Sequence, residues 1–176
     1  MYHIIGPKNP DTDSICSALV AAEYFRLIGQ DATPYYQGEL SDKTVSTFHE
    51  LGIEPPECIT SLPAGSEIVL VDHNDFTRAI DGIENMKLRG IIDHHACNNL
   101  TTSGPIQLRF EPLCSTCSIL FLMFAEQELE MSDPIAQLIL AGIMSESRDL
   151  TAPTTTDEDR EIVEYLVEDL GGEAAS

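Results

Sequence analysis

Short apolar runs alternate with segments of helical periodicity along the first half of this chain. Runs rich in β-branched and other apolar residues predict strands at 2–6, 32–36, 67–71, 88–92 and, at a sheet edge, 106–110. Apolar residues at helical spacing predict helices at 13–29, 41–51, 76–85, 115–129, 134–144 and 154–170. This alternation predicts an α/β fold with a mostly parallel β-sheet flanked by helices.

Local signals predict where several of these elements end and which side chains they bury. The Gly-Pro-Lys-Asn-Pro sequence at 6–10 predicts a turn that ends the first strand. Asp133 is predicted to cap a helix that has Pro134 at its first position. The sequence from Gly171 onwards predicts a stop or a linker. On the second helix, the side chains predicted to face inward are Val45, Phe48 and Leu51.

Acidic residues and histidines follow several of the apolar runs at the point where each run ends. They are Asp11 and Asp13 after the first strand, Asp72 and His73 after the third, Asp93, His94 and His95 after the fourth, and Glu146 after the helix at 134–144. In open α/β sheets, ligands bind outside the carboxyl ends of the strands. We therefore expect these side chains to form a single cluster of carboxylates and imidazoles.

The chemistry of this predicted cluster favours a transition-metal ion. Carboxylates together with imidazoles suit Mn²⁺, Fe²⁺, Co²⁺ or Zn²⁺ better than Mg²⁺ or Ca²⁺. His94 and His95 can serve one site only where the chain turns, and then one would bind metal while the other faces substrate. The alternatives are helix capping by Asp11 and Asp13, and a pair of solvated loop histidines.

The cysteines are more typical of structural residues than of a redox or zinc site. Cys114 and Cys117 have the spacing of a redox or half-zinc motif, but the sequence contains no second pair at such spacing. Small residues that open a helix are the preferred interpretation of this segment. Five cysteines, an odd number without secretory features, indicate reduced thiols.

The excess of Asp and Glu over Lys and Arg limits the classes of partner that the chain is expected to bind. The chain has 30 Asp and Glu residues against 9 Lys and Arg residues, a formal net charge of −21. This charge argues against nucleic acid and anionic membranes as partners, and it raises the local concentration of cations.

No apolar stretch reaches the roughly 20 residues of a membrane helix. The N-terminus lacks the basic and apolar regions of a signal peptide, so a cytoplasmic location is predicted.

Four segments of the chain resemble the motifs of the DHH phosphoesterase superfamily. The segments are 9–18, 71–74, 93–95, and 145–146 with 153–154. Within that superfamily they are most similar to the N-terminal catalytic domain of manganese-dependent, family II inorganic pyrophosphatases, in the same order and spacing over almost the whole chain. The resemblance implies a single DHH-type catalytic domain over 1–176, which hydrolyses pyrophosphate to two phosphates with a metal-activated water.

The resemblance also implies a role for each residue of the cluster. Two Mn²⁺ ions are expected, with Co²⁺ or Mg²⁺ as alternatives. Asp72 would bridge the two ions and take part in catalysis, and Asp11 would hold the first ion. His95 would lie near the phosphate and assist the leaving group, while Asp93 would orient the histidines. The second ion would be held by Asp13, His94 and Glu146.

The chain departs from the family pattern in three ways. Pro7 stands where the family has a metal-binding histidine, and proline offers no donor atom, so the first site loses a ligand. Glu146 stands where the family has aspartate, which adds one methylene to the ligand. The smaller C-terminal domain, whose basic side chains clamp the substrate in the family, is expected to be absent from this chain. Only Lys8, Arg148 and a few scattered basic residues remain, so weak activity is expected.

Two other functions remain open from the sequence. One is a DHH phosphoesterase that acts on short polyphosphate or on nucleotides. The other is a degenerate regulatory domain that keeps the fold, and one ion at most, without hydrolysis. By resemblance, the partners expected are pyrophosphate or another small phosphorylated substrate, together with a second copy of the chain in a homodimer.

Overall fold

Six strands form one fully parallel sheet in the order β3-β2-β1-β4-β5-β6. The structure is a computed structural model that describes residues 1–172. The strands are β1 Tyr2–Lys8, β2 Ala32–Gln37, β3 Glu57–Cys58, β4 Glu67–Val71, β5 Lys87–Asp93 and β6 Gln107–Phe110. The helices are α1 Thr12–Leu27, α2 Asp42–Leu51, α3 Thr116–Glu126, α4 Asp133–Glu146 and α5 Asp157–Asp169. The α/β fold and the parallel sheet are therefore as predicted.

The two faces of the sheet are covered differently. Strand residues alternate between the faces, so Ile4 and Val69 join the helical core while Ile5 and Leu70 join the opposite one. The first core contains residues from all five helices, whereas the second is completed by connecting segments. The prediction of a helix at 76–85 is wrong, because the segment contains only a single 3₁₀ turn at Ile83–Asn85. Its apolar residues cover the sheet from an irregular segment instead.

Helix α1 lies at the centre of the helical layer. Most of its residues are buried, and it packs against β1, β2, α3 and α4. Gly142 of α4 allows this close packing, because a Cβ at that position would overlap the Sγ of Cys117 and lie 3.0 Å from Oδ1 of Asp13. The starts of α1 and α3 and the middle of α4 therefore meet at one point.

Strand β1 continues two residues beyond its predicted end. The predicted turn at 6–10 begins only after Lys8, and Pro7 lies buried inside the strand. The pairing of β1 with β2 shifts register between Ile5 and Lys8. A register irregularity of this kind accommodates proline, which cannot donate a ladder hydrogen bond.

Smaller differences concern caps, faces and a short strand. Val45 was predicted to face inward but is 52% exposed, because the neighbouring Thr44 turns inward and hydrogen-bonds to Thr12 and Ser41. The N-cap of α4 is Ser132, one residue before the predicted Asp133. Strand β3 was not predicted, since two residues carry no periodic signal. Residues 173–176 of the predicted stop or linker lie outside the described range.

None of the helices within residues 1–172 combines the length and the apolar character needed to cross a bilayer.

Substituting alanine for Gly142 is expected to destabilise the fold. The added methyl group must displace Cys117 or Asp13, and overpacking of this kind costs about 1–3 kcal/mol. Urea unfolding measures the change, with Gly104→Ala as control because a Cβ there meets open space. Equal stability of the two variants would contradict the close packing of α1, α3 and α4.

Candidate metal centre

The predicted cluster lies at the carboxyl edge of the sheet, where the strand order reverses between β1 and β4. α1 follows β1 directly, Asp72 follows β4, and β5 ends at Asp93. From this point the chain after β1 continues towards β2, and the chain after β4 continues in the opposite direction towards β5. The two connections therefore diverge, and they leave between them a crevice of the kind that binds ligands in open α/β folds. The start of α3 and the end of α4 complete its walls.

Asp13 is a buried carboxylate, and both of its oxygens accept hydrogen bonds from the start of α3. Its Oδ2 accepts the amide N–H of Thr116 at 2.9 Å, and its Oδ1 accepts that of Cys117 at 3.2 Å. These two amides open α3, where the helix dipole favours negative charge. Burial, followed by the nearby charge of Asp72, nevertheless raises the pKa of Asp13 well above its usual value. Asp13 is thus oriented for a cation that would stabilise its charge.

Asp72 is the second buried carboxylate, and its backbone is strained. Its φ of 61° is in the left-handed region, which non-glycine residues adopt at a cost of order 1–3 kcal/mol, mostly at functional sites. Its Oδ1 accepts a hydrogen bond from the Thr116 hydroxyl at 2.9 Å and its Oδ2 one from Ser14 at 2.5 Å. Burial is the largest influence and opposes ionisation, but the hydrogen bond and charge that His94 supplies when protonated, the hydrogen bond from Ser14 and the charge of His95 together lower the pKa of Asp72. The carboxylate therefore remains charged and fixed.

His94 presents a buried nitrogen to these carboxylates. Its Nδ1 lies 3.2 Å from the carbonyl oxygen of Leu113, which can only accept a hydrogen bond, so Nδ1 carries a proton. In the neutral tautomer Nε2 then offers a lone pair, 3.3 Å from Oδ1 of Asp72 and 3.8 Å from Oδ2 of Asp13. Within residues 1–172 this buried Nε2 has no hydrogen-bond partner. A backbone-oriented imidazole with a free, buried nitrogen is the arrangement of a metal ligand.

His95 lies beside His94 but has a different partner. The ring centroids are 4.2 Å apart, because β5 ends at Asp93 and the chain turns. His95 Nδ1 lies 2.7 Å from Oδ1 of Asp93, whose Oδ2 accepts a hydrogen bond from Asn74. The bond to Asp93, aided by the charge of Asp72, raises the pKa of His95 to about 8 against the effect of burial. The half-exposed His95 is thus a proton donor at neutral pH.

Asp11 and Glu146 border the same cluster. Asp11 caps α1 by accepting hydrogen bonds at 2.9 Å from the amide and from the hydroxyl of Ser14. Burial and the charges of Asp11 and Asp72, in that order, raise the pKa of Glu146, which ends α4. The three carboxylates are therefore close enough to repel one another. The capping interpretation of Asp11 holds, and it leaves Oδ2 available to a ligand.

The arrangement contains more acceptors than donors. The single proton of the Ser14 hydroxyl lies within hydrogen-bond distance of both Asp11 and Asp72 and can serve only one of them. One possible metal-ligand atom from each of Asp72, His94 and His95 lies within 4.8 Å of the others. A divalent cation would satisfy the excess carboxylate charge and the free nitrogen of His94. The residues present therefore fit a metal ion.

Several residues near the centre were not predicted to have a role. Thr116, Ser14 and Asn74 hold the charged side chains, but their partners lie in distant segments and give no sequence pattern. His73, which was predicted to belong to the cluster, shares the arrangement of His94, since its Nδ1 lies 2.8 Å from the Val71 carbonyl oxygen and its Nε2 is buried without a partner among the described residues.

The segment that contains Cys114 and Cys117 opens a helix, as predicted. Ser115 caps α3 by accepting the amide N–H of Ser118. Both cysteines are buried free thiols, and burial raises the pKa of each. Thiols of this kind are unreactive because the thiolate is disfavoured.

Comparison with known proteins gives a consistent family. A family model described as "DHH family, N-terminal domain" matches residues 2–143. Two relatives, each named "Probable manganese-dependent inorganic pyrophosphatase", are 38% identical to this chain. The one from Oceanobacillus iheyensis aligns over 168 residues, which is 96% of this chain and 54% of the relative. The one from Deinococcus radiodurans aligns over 166 residues, 94% of this chain and 53% of the relative.

Solved structures share the architecture. A proposed family II inorganic pyrophosphatase from Methanococcus jannaschii superposes with a TM-score of 0.90 at 33% identity, covering 99% of this chain and 57% of that one. An exopolyphosphatase-related protein from Bacteroides fragilis shares the fold alone, with a TM-score of 0.69 at 16% identity. The present chain spans about half the length of the curated relatives that it matches.

The ion pair of His95 and Asp93 is expected to make the stability of the metal-free protein depend on pH. Because the pKa of His95 rises from 6.5 to about 8 on folding, the stabilisation is complete below pH 6.5 and is lost as pH rises through 8. Urea unfolding with a chelator present should show a smaller decline over this range in His95→Gln. His49→Gln, which changes an exposed histidine of α2, should keep the wild-type profile; identical profiles for all three proteins would contradict the ion pair.

Proposed function

The chain belongs to the DHH family, and from this membership and the geometry of its carboxylate cluster we propose that it hydrolyses inorganic pyrophosphate in a metal-dependent reaction. The observation that carries the proposal is the pairing of the buried Asp72 with a free nitrogen of His94 at the switch point of the sheet. The names of the relatives support manganese and pyrophosphate. Their whole length is about twice that of this chain, so their activity is carried over as a proposal.

The cluster divides into residues that hold metal and one that transfers a proton. Asp11 with Asp72 would hold the first Mn²⁺ ion, and Asp13, Asp72, His94 and Glu146 would hold the second. When bound, such ions acidify water and neutralise phosphate oxygens. His95 is protonated near neutral pH, and its Nδ1–H is directed at Asp93. The remaining ring nitrogen can therefore donate a proton to the leaving phosphate, which makes departure of that phosphate easier.

Several finer features belong to the same proposal. A neutral imidazole nitrogen among the donors favours Mn²⁺ or Co²⁺ over Mg²⁺, and the names of the relatives favour Mn²⁺ over Co²⁺. The first ion is expected to bind weakly, because Pro7 offers no donor atom. Turnover by these residues alone is expected to be slow, since a net charge of −21 repels pyrophosphate. We also propose a homodimer, from the family resemblance, and a cytoplasmic location.

Loss of the Asp72 charge tests the proposed reaction. Asp72→Asn should lower Mn²⁺-dependent phosphate release from pyrophosphate by more than the roughly 100-fold that loss of a ligand's hydrogen-bonding partner can cost. The matched control is Asp31→Asn, which removes an exposed carboxylate on the loop before β2 and should leave the rate unchanged. Phosphate release is measured with excess Mn²⁺ so that incomplete loading does not limit the rate.

The remaining outcomes distinguish the alternative functions. Hydrolysis of tripolyphosphate or a dinucleotide without hydrolysis of pyrophosphate would replace the proposal by another phosphoesterase activity. Mn²⁺ binding without any hydrolysis would indicate a regulatory domain. A wild-type rate in Asp72→Asn would exclude this cluster as the active site.

Introducing an imidazole at Pro7 should restore a ligand to the first ion. We expect Pro7→His to tighten Mn²⁺ binding at that site at least about tenfold, or 1.4 kcal/mol, in calorimetric titration of metal-free protein. Pro7→Ala is the control, because it removes the proline ring without adding a donor. Equal Mn²⁺ affinity in the two variants would show that Pro7 is not the position of a missing ligand.

A further inference from the structure

We infer that Thr116 is a positioning residue that fixes the two buried metal-binding carboxylates relative to each other. Its backbone N–H donates to Oδ2 of Asp13 at 2.9 Å, and its hydroxyl donates to Oδ1 of Asp72 at 2.9 Å. Asp13 is separated from Thr116 by 103 positions and Asp72 by 44. One residue thus connects the start of α1 with the end of β4. The inference rests on the proposed metal centre.

The hydroxyl of Thr116 reaches the oxygen that matters most for the centre. Oδ1 of Asp72 is the atom that lies 3.3 Å from the free Nε2 of His94. A carboxylate oxygen only accepts hydrogen bonds, so the threonine must be the donor and its proton direction is fixed. Thr116 therefore orients the oxygen that shares a cation with His94.

Asp72 needs such support because its backbone does not orient the side chain as a regular strand would. Its left-handed conformation follows directly after β4, and its carboxylate lies between the starts of α1 and α3. The Ser14 hydroxyl also contacts Asp11 and has only one proton to donate. Since Ser14 is shared in this way, Thr116 is the hydroxyl donor committed to Asp72 alone.

The start of α3 can perform this function because it is anchored from its other side. The buried carboxylate of Asp159 accepts a hydrogen bond from the Cys114 amide at 3.0 Å and from the Ser118 hydroxyl at 2.6 Å. Asp159 also forms a capping box with Thr156 at the start of α5. Helix α3 is thus held by two buried carboxylates, of which Asp13 belongs to the metal centre and Asp159 does not.

This symmetry supplies a matched pair of variants. Thr116→Val replaces the hydroxyl by a methyl group of similar size and keeps the backbone N–H to Asp13. Ser118→Ala removes a hydroxyl from the same helical turn, but one that donates to Asp159. Thr116→Ser restores a hydroxyl at the first position and so tests whether the hydrogen bond, rather than the shape, is required.

The experiment is calorimetric titration of each metal-free variant of this chain with Mn²⁺, together with its thermal unfolding. Thr116→Val should bind Mn²⁺ about 10–100-fold more weakly, the usual effect of losing a ligand's hydrogen-bonding partner. Thr116→Ser should bind close to wild type. Ser118→Ala should unfold at lower temperature but retain wild-type Mn²⁺ affinity. If valine prevents folding, Thr116→Ala removes the same hydroxyl without adding an atom.

Wild-type Mn²⁺ affinity in Thr116→Val or Thr116→Ala would overturn the inference. An equal loss of affinity in Ser118→Ala would overturn it as well, because general anchoring of α3 would then explain the effect. Mn²⁺ binding without hydrolysis would overturn the proposed function and leave this inference standing, whereas failure of the proposed metal centre has a different signature. In that case the wild-type protein itself would bind no Mn²⁺, or would bind it with unchanged affinity after Asp72→Asn.

Discussion

Repulsion among carboxylates, two of them buried, is the constraint on which the rest of this structure depends. Asp13 and Asp72 are buried, and Glu146 and Asp11 are close enough to raise the pKa of neighbouring groups. Burying such charges without compensation is costly, because the interior cannot solvate them as water does. Two devices of the fold compensate, namely backbone amides at the start of α3 and hydroxyl groups. A cation would complete the compensation.

The parallel sheet brings these charges together, and the helical layer keeps them in place. β1, β4 and β5 are neighbours, so three segments distant in sequence end at one edge. α1 is buried on most of its surface and presents its first turn to that edge. The absence of a side chain at Gly142 lets α4 approach this turn. Asp13 therefore contributes both to the close packing of the helices and to the electrostatics of the cluster.

The sequence predicted the elements whose signals are local. Residues 67–71 form β4 as expected because a β-branched run bounded by polar residues permits little else, and Asp72 and His94 lie together because strand ends share an edge. Signals that depend on distant partners were not visible. Thr116 pairs across 44 positions, and the segment 76–85 has helical spacing only because its apolar residues cover the second face of the sheet. Pro7 stays in β1 through an irregularity of register that sequence periodicity does not reveal.

The unequal covering of the two sheet faces divides the centre into parts of different rigidity. Asp13, Asp72 and Thr116 lie at the interface of the sheet with the helical layer, where local opening requires large apolar surfaces to separate. His94 and His95 begin the irregular connection between β5 and β6, which includes Leu100 and Ile106 of the core on the second face of the sheet. Segments with few buried contacts open at lower free energy than the packed layer. In the proposed reaction, His95 would therefore adjust to the substrate and to the departing product while Asp13 and Asp72 keep their positions.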